Sequence, residues 1–396
     1  MTNTWRPLRI AIVSGEESGD LLGSDLIKAI QKQSGFNVEL VGVGGRHLQS
    51  IGLKSMFDPS EIALMGLTAV ARDLPRLVAR IGRTARAIAA ARPDCLITVD
   101  SPAFTLRVAK KVRKLAPDIP IVKYVCPSIW AWGPWRAKTM KPYVDRILCI
   151  LPFEGEVLSR LGGPDGIYVG HRLTTDPDLS WAGDHQKLRQ QMDGKDKTIL
   201  VLPGSRKAEV RNLMPAFGET LQQLAERTPN FKVVIPTLPQ VQHLVEENAQ
   251  GWKVPVSIVS GPEEKRVALS QADCALAASG TVLLELALAG VPTVSCYKTD
   301  FLMVAARRLI TIWSAALPNL IADRPVIPEF INEYIRPGLL ARHLESLLHD
   351  TAARQWQLDG MALVAESMKT PRPSSEVAAE AVLKLIAQPR CGNLQV

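Results

Sequence analysis

The sequence predicts an α/β fold that consists of two doubly wound domains in series, each built on a parallel sheet. Two observations predict this fold. Short apolar runs that end in turn residues alternate with longer helical patterns, and this alternation breaks off once and then starts again. The chain has 396 residues, of which 46% are hydrophobic and 22% charged, and these values fit a globular chain of two or three domains.

The predicted strands fall into two sets of five. The first set lies at residues 8–13, 38–43, 95–99, 121–125 and 146–150, and the second at residues 198–202, 231–235, 254–259, 274–277 and 293–297. Rossmann-like sheets of this kind bind their ligands beyond the carboxyl ends of the strands. We therefore expect the two domains to face a cleft that contains the functional site.

The break in this pattern predicts the domain limits. Residues 171–197 are polar and rich in Asp and Gly, as in a linker. Pro371 and Pro373 interrupt a helical pattern before a last predicted helix. The predicted limits are 1–170 for an N-terminal domain, 171–370 for a C-terminal domain, and 371–396 for a segment whose helix returns to the N-terminal domain.

The six cysteines are scattered, without a C-x-x-C motif or a zinc spacing, and no two histidines have the spacing of metal ligands. We therefore expect a reducing compartment, no metal and no cofactor. The first residues do not resemble a signal peptide. The longest charge-free stretch, residues 309–322, is shorter than the roughly 18 apolar residues of a spanning helix. These features predict a cytoplasmic chain.

The net charge of +8 is concentrated in one region, since residues 66–146 contain 16 Lys and Arg against 5 Asp and Glu. Within it, Arg72, Arg76, Arg80 and Arg83 recur at helical spacing among apolar residues. Such a helix can lie on an anionic bilayer surface. It can equally be a core-facing helix with a solvated arginine face. No nucleic-acid-binding signature accompanies the charge, so nucleic acid is not expected as a partner.

The turn Gly204-Ser205-Arg206 follows a predicted strand and precedes a helical pattern. Small residues let a backbone approach a phosphate, and an arginine presents a fork of N–H donors to it. A sharp turn with a solvent-exposed arginine explains the same residues equally well. The segment lacks the spacing of a P-loop.

The segment Ser279-Gly280-Thr281 opens a predicted helix, and Glu285 follows about one turn later. The N–H groups and hydroxyls of a helix start suit a diphosphate, and an acidic residue can accept both hydroxyls of a ribose. A capped helix with a solvated Glu285 is the alternative. Because leucines flank Glu285, we expect a buried carboxylate, which would be costly without a partner and so favours a binding role.

Two acidic residues are candidates for a general base because each follows a predicted strand. Asp100 ends the strand at 95–99, and Glu16 lies in the turn after the first strand, near Glu17 and Asp20. An aspartate at such a position is more commonly a helix N-cap or a turn residue, so both interpretations stay open.

Three tryptophans, Trp130, Trp132 and Trp135, lie within six residues. They suit an apolar wall against a lipid or a sugar face, and a core cluster under a loop is the alternative. His171 follows Gly170 at the predicted domain junction, where it is either a site residue or a hydrogen-bonded structural histidine.

Taken together, these segments resemble the lipid-A-disaccharide synthase family of glycosyltransferases, which have the two-domain GT-B fold. The resemblance extends over nearly the whole chain, and the joint order of the motifs is specific. The matching segments are 14–20, which includes Ser18, 65–66, 100–102, 127–132, 151–154, 169–171, 202–206 with Glu209, 278–285 and 317–320.

The resemblance implies an inverting transfer from UDP-2,3-diacylglucosamine to 2,3-diacylglucosamine 1-phosphate, which yields a β-1,6-linked disaccharide 1-phosphate and UDP. It places the family's catalytic aspartate at Asp100, its essential arginine at Arg206 and its Leu-Pro-Asn asparagine at Asn319. It further implies an N-terminal domain that binds the acceptor and faces the cytoplasmic membrane surface, and a C-terminal domain that binds the UDP-sugar. Membrane contact then becomes the favoured role of the arginine-rich helix, and a homodimer is compatible with the resemblance.

The sequence departs from the family's D-x-P-D-F-N pattern, because Ala103 and Thr105 stand where a second carboxylate and an asparagine are common. Asp100 is then the lone base of that motif, and Glu16 is the other candidate base. Two alternatives stay open: another UDP-sugar enzyme of the GT-B fold, such as an epimerase or a lipid-linked murein glycosyltransferase, or a non-catalytic protein that binds membrane surfaces.

Overall fold

The computed structural model describes residues 6–63, 70–190, 197–298 and 309–388. The chain divides into two compact units. Unit 1 comprises Met1–Arg172 and Thr370–Val396, and unit 2 comprises Leu173–Lys369. Each unit contains a parallel sheet between two layers of helices, so the predicted fold class of two doubly wound α/β domains is confirmed.

The sheet of unit 1 has seven parallel strands in the order β3-β2-β1-β4-β5-β6-β7. The strands are β1 Leu8–Ser14, β2 Val38–Val43, β3 Lys54–Ser55, β4 Cys95–Val99, β5 Ile121–Tyr124, β6 Arg146–Cys149 and β7 Asp165–Tyr168. Successive side chains of β1 enter opposite cores: Ile10 and Ile12 pack on one face of the sheet, and Ala11 and Val13 on the other. Burial on both faces explains the continuous apolar runs in the sequence.

The helices of unit 1 cover both faces of this sheet. They are α1 Glu17–Ser34, α2 Arg46–Ser50, α3 Ser60–Ala63, α4 Val70–Ala91, α5 Pro102–Leu115, α6 Arg136–Met140, α7 Glu154–Arg160 and, from the C-terminal segment, α16 Ser374–Ala387. Helices α4 and α5 pack on one face through Ile81, Ile88 and Phe104.

The last helix returns to unit 1, as predicted. Helix α16 packs against α1, and its Ala378, Ala379 and Val382 are buried in the same core as Ile27. The Lys32 ammonium lies 3.0 Å from Oε1 of Glu376 at the edge of this contact.

The sheet of unit 2 has six parallel strands in the order β10-β9-β8-β11-β12-β13. They are β8 Lys197–Leu202, β9 Phe231–Thr237, β10 Val256–Ser260, β11 Cys274–Ala278, β12 Thr293–Tyr297 and β13 Glu329–Ile331. The helices around it are α8 Pro177–Gln190, α9 Lys207–Arg227, α10 Gln242–Ala249, α11 Pro262–Gln271, α12 Thr281–Ala289, α13 Leu317–Ala322, α14 Pro337–Leu348 and α15 Ala352–Ser367.

The predicted linker at residues 171–197 is wrong over most of its length. A short 3-10 helix spans Arg172–Thr175, and α8 packs against α11 and α12. The buried Gln186 of α8 donates from Nε2 to the carbonyls of Leu269 and Ala272, at 2.6 and 2.8 Å. This polar segment is therefore part of the core of unit 2.

In both sheets, the strand order reverses once. The reversal lies between β1 and β4 in unit 1, and between β8 and β11 in unit 2. The loops at the carboxyl ends of these strand pairs contain Glu16 and Asp100 in unit 1, and Arg206 and Ser279 in unit 2. Such switch points are where open α/β sheets bind ligands.

Among the residues that the structure describes, no helix is both long enough and apolar enough to span a bilayer.

Candidate functional site

Asp100 lies at the switch point of unit 1 in an unusual backbone conformation. Asp100 and Ser101 have φ angles of 45° and 39°, so two consecutive residues with side chains occupy the left-handed region. Oγ1 of the buried Thr105 holds this turn, since it lies 2.7 Å from the Asp100 carbonyl oxygen and 3.1 Å from that of Ser101. Thr105 thus stabilises the turn. Strained conformations of this kind concentrate at functional sites.

Glu16 lies next to this turn. The hydroxyl of Ser101 donates to Oε1 of Glu16 at 3.2 Å, and the hydroxyl of Ser14 donates to its main-chain carbonyl at 3.2 Å. A side chain at Gly19 would place its Cβ 2.8 Å from Oγ of Ser14 and 3.3 Å from Cβ of Asp100. The glycine therefore lets α1 approach the Asp100 turn, and the two candidate bases come together.

Lys123, which no sequence motif singled out, lies beneath the Asp100 turn. Its side chain is fully buried, and its ammonium donates to the Asp100 carbonyl and, at 3.3 Å, to Oγ1 of Thr105. Burial lowers the pKa of Lys123 to about 7, against the opposing attraction of Asp100, Cys126 and Glu16. In the sequence, this residue differs from its neighbours only in being a lysine inside a short apolar strand.

The other acidic candidates of the first turn are structural. Asp20 is buried, and its carboxylate accepts from the N–H groups of Gly45 at 2.6 Å and His47 at 2.8 Å. Glu17 forms an exposed ion pair with Arg46. Ser18 is exposed in the first turn of α1.

The tryptophans do not form one wall. The half-buried Trp130 packs edge-on against Phe153 and donates from Nε1 to the buried Glu154 at 3.1 Å. Burial raises the pKa of Glu154 to about 7, opposed by N–H donors from Leu151, Trp130 and Ile150. Trp132 is 48% exposed, and the guanidinium of Arg136 lies 3.6 Å from its ring centroid. The core interpretation therefore fits Trp130, whereas Trp132 is available for contact.

His171 lies at the end of unit 1, after Gly170, whose φ is 91°. A Cβ on Gly170 would approach Oγ1 of Thr370 to 3.0 Å. Burial, with a smaller effect from Arg172, lowers the pKa of His171 to about 4, so its imidazole is neutral at pH 7. Within the described ranges, no group of three or more His, Cys, Asp or Glu side chains is placed to hold a metal ion.

Glu209 stabilises the turn Gly204-Ser205-Arg206, which is the first candidate phosphate-binding loop of unit 2. Its Oε2 accepts from the N–H groups of Ser205 at 3.0 Å and Arg206 at 3.2 Å. A Cβ on Gly204, whose φ is 112°, would collide with the Glu209 side chain. Arg206 lies 3.0 Å from Oε1 of Glu209, yet its side chain is 82% exposed. The loop is thus rigid, and its cation remains accessible.

The second candidate loop begins α12. Gly280 and Thr281 are exposed and Ser279 is half-buried, with its N–H donating to the Cys296 carbonyl at 3.0 Å. The expectation of a buried, unpaired Glu285 is wrong: the residue is half-buried and forms an ion pair with Lys265 of α11. Because Lys265 compensates the charge of Glu285, the cost of burying this carboxylate does not indicate a binding role.

Asn319 is a scaffold residue in this structure. It is 2% exposed, and its Oδ1 accepts from the N–H groups of Val326 at 2.9 Å and Ile327 at 2.8 Å. Its Nδ2 donates to the Ser314 hydroxyl and the Ile327 carbonyl. These bonds hold α13 to the chain that leads into β13, so Asn319 acts by positioning.

The arginine-rich helix α4 has two parts. Residues Ile81, Ala85 and Ile88 are buried in the core, whereas Val78 and Arg76 in the preceding turn are exposed. Arg83 is exposed too.

Arg80 is not a free cation. It is half-buried, lies 2.6 Å from Glu61, and is placed over the ring of Phe57. The side chain of Arg72 lies outside the part of the chain whose side chains are described.

The order of these elements and motifs is that of a known family. The model of the family described as lipid-A-disaccharide synthetase matches residues 10–382. The chain belongs to this family. It is 44% identical over 390 residues to the lipid-A-disaccharide synthase of Nitrobacter winogradskyi, and 42% identical over 380 residues to that of Rhodopseudomonas palustris strain HaA2; each alignment covers 96% of both chains.

Solved structures with low sequence identity share the fold. Acinetobacter baumannii MurG superimposes with a TM-score of 0.59 at 16% identity, covering 96% of this chain and 100% of that one. The UDP-GlcNAc 2-epimerase from Neisseria meningitidis, bound to UDP-GlcNAc, gives 0.59 at 12% identity, covering 95% and 99%. These likenesses concern the fold alone, and they confirm the predicted GT-B type.

Proposed function

We propose that the protein is an inverting glycosyltransferase that joins UDP-2,3-diacylglucosamine to 2,3-diacylglucosamine 1-phosphate. The products are the β-1,6-linked lipid A disaccharide 1-phosphate and UDP. The observation that carries the chemical part of this proposal is the turn in which Asp100 and Glu16 come together at the switch point of unit 1. Family membership supports the choice of substrates.

Asp100 acts as the general base in this reaction. The 6-hydroxyl oxygen of the acceptor attacks the anomeric carbon of the donor while its proton passes to the Asp100 carboxylate. The bond between that carbon and the diphosphate oxygen breaks, and its electron pair leaves with UDP. A single displacement inverts the anomeric configuration. Glu16, joined to the Asp100 turn through Ser101, is the alternative base.

Unit 2 binds the nucleotide. The exposed guanidinium of Arg206 neutralises the leaving diphosphate, and the start of α12 at Ser279, Gly280 and Thr281 donates to it. Glu285 accepts hydrogen bonds from the ribose hydroxyls. When the nucleotide binds, these bonds replace part of the ion pair between Glu285 and Lys265. Because Glu209 has already ordered the Arg206 loop, little conformational entropy is lost when the nucleotide binds.

The protein meets its lipid substrates as a peripheral protein on the cytoplasmic face of the membrane. Arg76 and Arg83 lie seven residues apart, on one exposed face of α4, and Val78 is exposed on another side of the same helix. The basic face is attracted to anionic headgroups.

The test is the release of UDP by the purified full chain in detergent, with the diacylated donor in the presence and absence of the phosphorylated acceptor. We expect release that requires the acceptor, together with a disaccharide of β configuration. Release from UDP-N-acetylglucosamine alone would instead indicate an epimerase-type enzyme. A folded chain that binds UDP without acceptor-dependent release would contradict the proposed reaction.

A further inference from the structure

A cavity of about 650 Å³ lies in unit 1 beyond the carboxyl end of β2. Its lining includes Arg46, Gln49, Leu53, Lys54 and Phe57. The cavity is formed by the turn that leads into α2 and by the chain around the short edge strand β3. Nothing in the motifs discussed above accounts for it.

Two cations line this cavity. Lys54 is exposed, and in the described part of the chain its ammonium has no ion pair or hydrogen bond. Arg46 pairs with Glu17, but both side chains are mostly exposed, at 75% and 71%. An ion pair so open to solvent contributes little stability, so an anionic ligand can compete for the guanidinium.

One carboxylate also lines the cavity, that of Asp58. Its Oδ1 accepts from the N–H of Ser60 at 2.9 Å, and hydrogen bonds from the backbone and side chain of Ser60 lower the pKa of Asp58. The carboxylate is thus engaged at the start of α3. The lining itself has two cations and one carboxylate, hence one net positive charge, and Glu17, which pairs with Arg46, lies outside the lining.

The remaining wall is partly apolar. Gln49 and Ser55 line its polar part, and Leu53, Phe57 and Pro59 line its apolar part. The guanidinium of Arg80 covers the Phe57 ring, 4.6 Å from the centroid. Cations beside an apolar wall fit a ligand in which a phosphate and a hydrocarbon chain are attached close together. A purely polar anion would leave the apolar wall unused.

The cavity is tied to the candidate base. Asp20 of α1 accepts from the N–H groups of Gly45 and His47, which fixes the cavity's rim to the first turns of α1. Glu17, the residue after Glu16, contacts Arg46 from the same helix. The rim therefore adjoins the loop that holds Glu16 against the Asp100 turn.

We infer that this cavity binds the phosphate and the adjoining acyl chain of a phosphorylated glycolipid acceptor, with Arg46 and Lys54 as the phosphate ligands. The inference rests on the proposed function, because it assigns a place to the acceptor of that reaction. In that place, the phosphate anchors one end of the sugar while the hydroxyl that reacts lies toward Asp100. Recognition of this charge distinguishes the acceptor from lipids without a phosphate.

The experiment compares 2,3-diacylglucosamine 1-phosphate with the same lipid without its phosphate. For the double variant Arg46→Gln with Lys54→Gln, we expect kcat/KM for the phosphorylated lipid to fall by roughly tenfold for each charge removed. The value for the unphosphorylated lipid should change little. The matched control is Lys28→Gln with Arg160→Gln, two exposed cations on α1 and α7. An unchanged far-UV circular dichroism spectrum and an unchanged unfolding midpoint show that each variant is folded.

Direct binding of the phosphorylated lipid to the detergent-solubilised full chain keeps this inference separate from the proposed reaction. If wild-type protein binds the lipid and the double variant does not, the cavity assignment holds even where no UDP is released. Equal binding by wild type and the double variant, or equal loss for both lipids, would overturn it.

Discussion

Stability alone does not explain why Lys123 is buried. A fully buried ammonium is costly unless it is paired, and its direct partners are a carbonyl and a hydroxyl rather than a carboxylate. The carboxylates of Asp100 and Glu16 act on it through space. We interpret Lys123 as a positioning residue that also holds the Asp100 turn.

Replacing Lys123 by Met should therefore change the pH profile of turnover as well as its rate. Without the lysine, the part of the profile that follows its own titration near pH 7 should disappear. Lys110→Met, which removes an exposed cation from α5, should leave the profile unchanged. A Lys123→Met enzyme with a lower kcat and an unmoved profile would mean that the lysine is merely structural.

The free energy of unfolding should also depend on pH because of Lys123. The pKa of Lys123 is about 7 in the folded chain, against an ordinary 10.5. Between these two pH values, the unfolded chain keeps a proton on Lys123 that the folded chain has released. Wild-type stability should therefore rise with pH across this window, and the Lys123→Met variant should lose that rise. Denaturant unfolding at pH 7 and pH 10 measures the difference.

Residues of the site could be predicted from sequence where a local pattern reveals them. Asp100 is visible because an acidic residue ends an apolar strand, and Arg206 because it follows a Gly-containing turn. The partners of Glu285 and Asn319 could not be predicted, because Lys265 and Val326 approach them through tertiary structure. Lys123 looks like an irregular residue in a strand until the fold places it under Asp100.

At the scale of elements, the central strands could be predicted closely, because both faces of each are buried and the sequence shows an apolar run. The strands β3, β7 and β13 were not predicted. They are short, and each lies at the edge of a sheet, where one neighbour is missing. Helix α8 was mistaken for a linker because much of its surface is polar, and its core contacts include a hydrogen-bonded glutamine.

Helix α4 has features of both interpretations of the basic sequence. Its C-terminal part is a core helix, while Arg76, Val78 and Arg83 remain on the surface. Reversing charge with Arg76→Glu and Arg83→Glu should weaken binding to anionic vesicles at least tenfold, at ~1 kcal/mol per basic residue. Arg80 is left intact because it pairs with Glu61.

Co-sedimentation with phosphatidylglycerol-containing vesicles measures this effect, and neutral phosphatidylcholine vesicles give the background. The control is Lys28→Glu with Arg160→Glu, which changes the net charge equally on other helices. Equal loss in both double variants would show that net charge alone matters. No loss in either variant would indicate that α4 is a core-facing helix with a solvated arginine face.

At the scale of the whole molecule, the two units repeat one architecture with different chemistry at the same topological position. In unit 1 the switch point presents carboxylates, and in unit 2 it presents an arginine and a helix start. A base and a cation site for a diphosphate are the two requirements of a UDP-dependent transfer. Because α16 packs on unit 1, that unit contains segments from both ends of the described chain.

This division predicts that chemistry and nucleotide binding can be separated by substitution. The most direct measurement is kcat for acceptor-dependent UDP release by Asp100→Asn, with UDP affinity measured by calorimetry on the same preparation. We expect kcat to fall by roughly 10²–10⁴-fold, the usual contribution of a general base, with UDP affinity unchanged. Asp118→Asn, an exposed aspartate, is the control. A kcat within a few-fold of wild type, with Glu16→Gln inactive instead, would contradict the assignment of the base to Asp100.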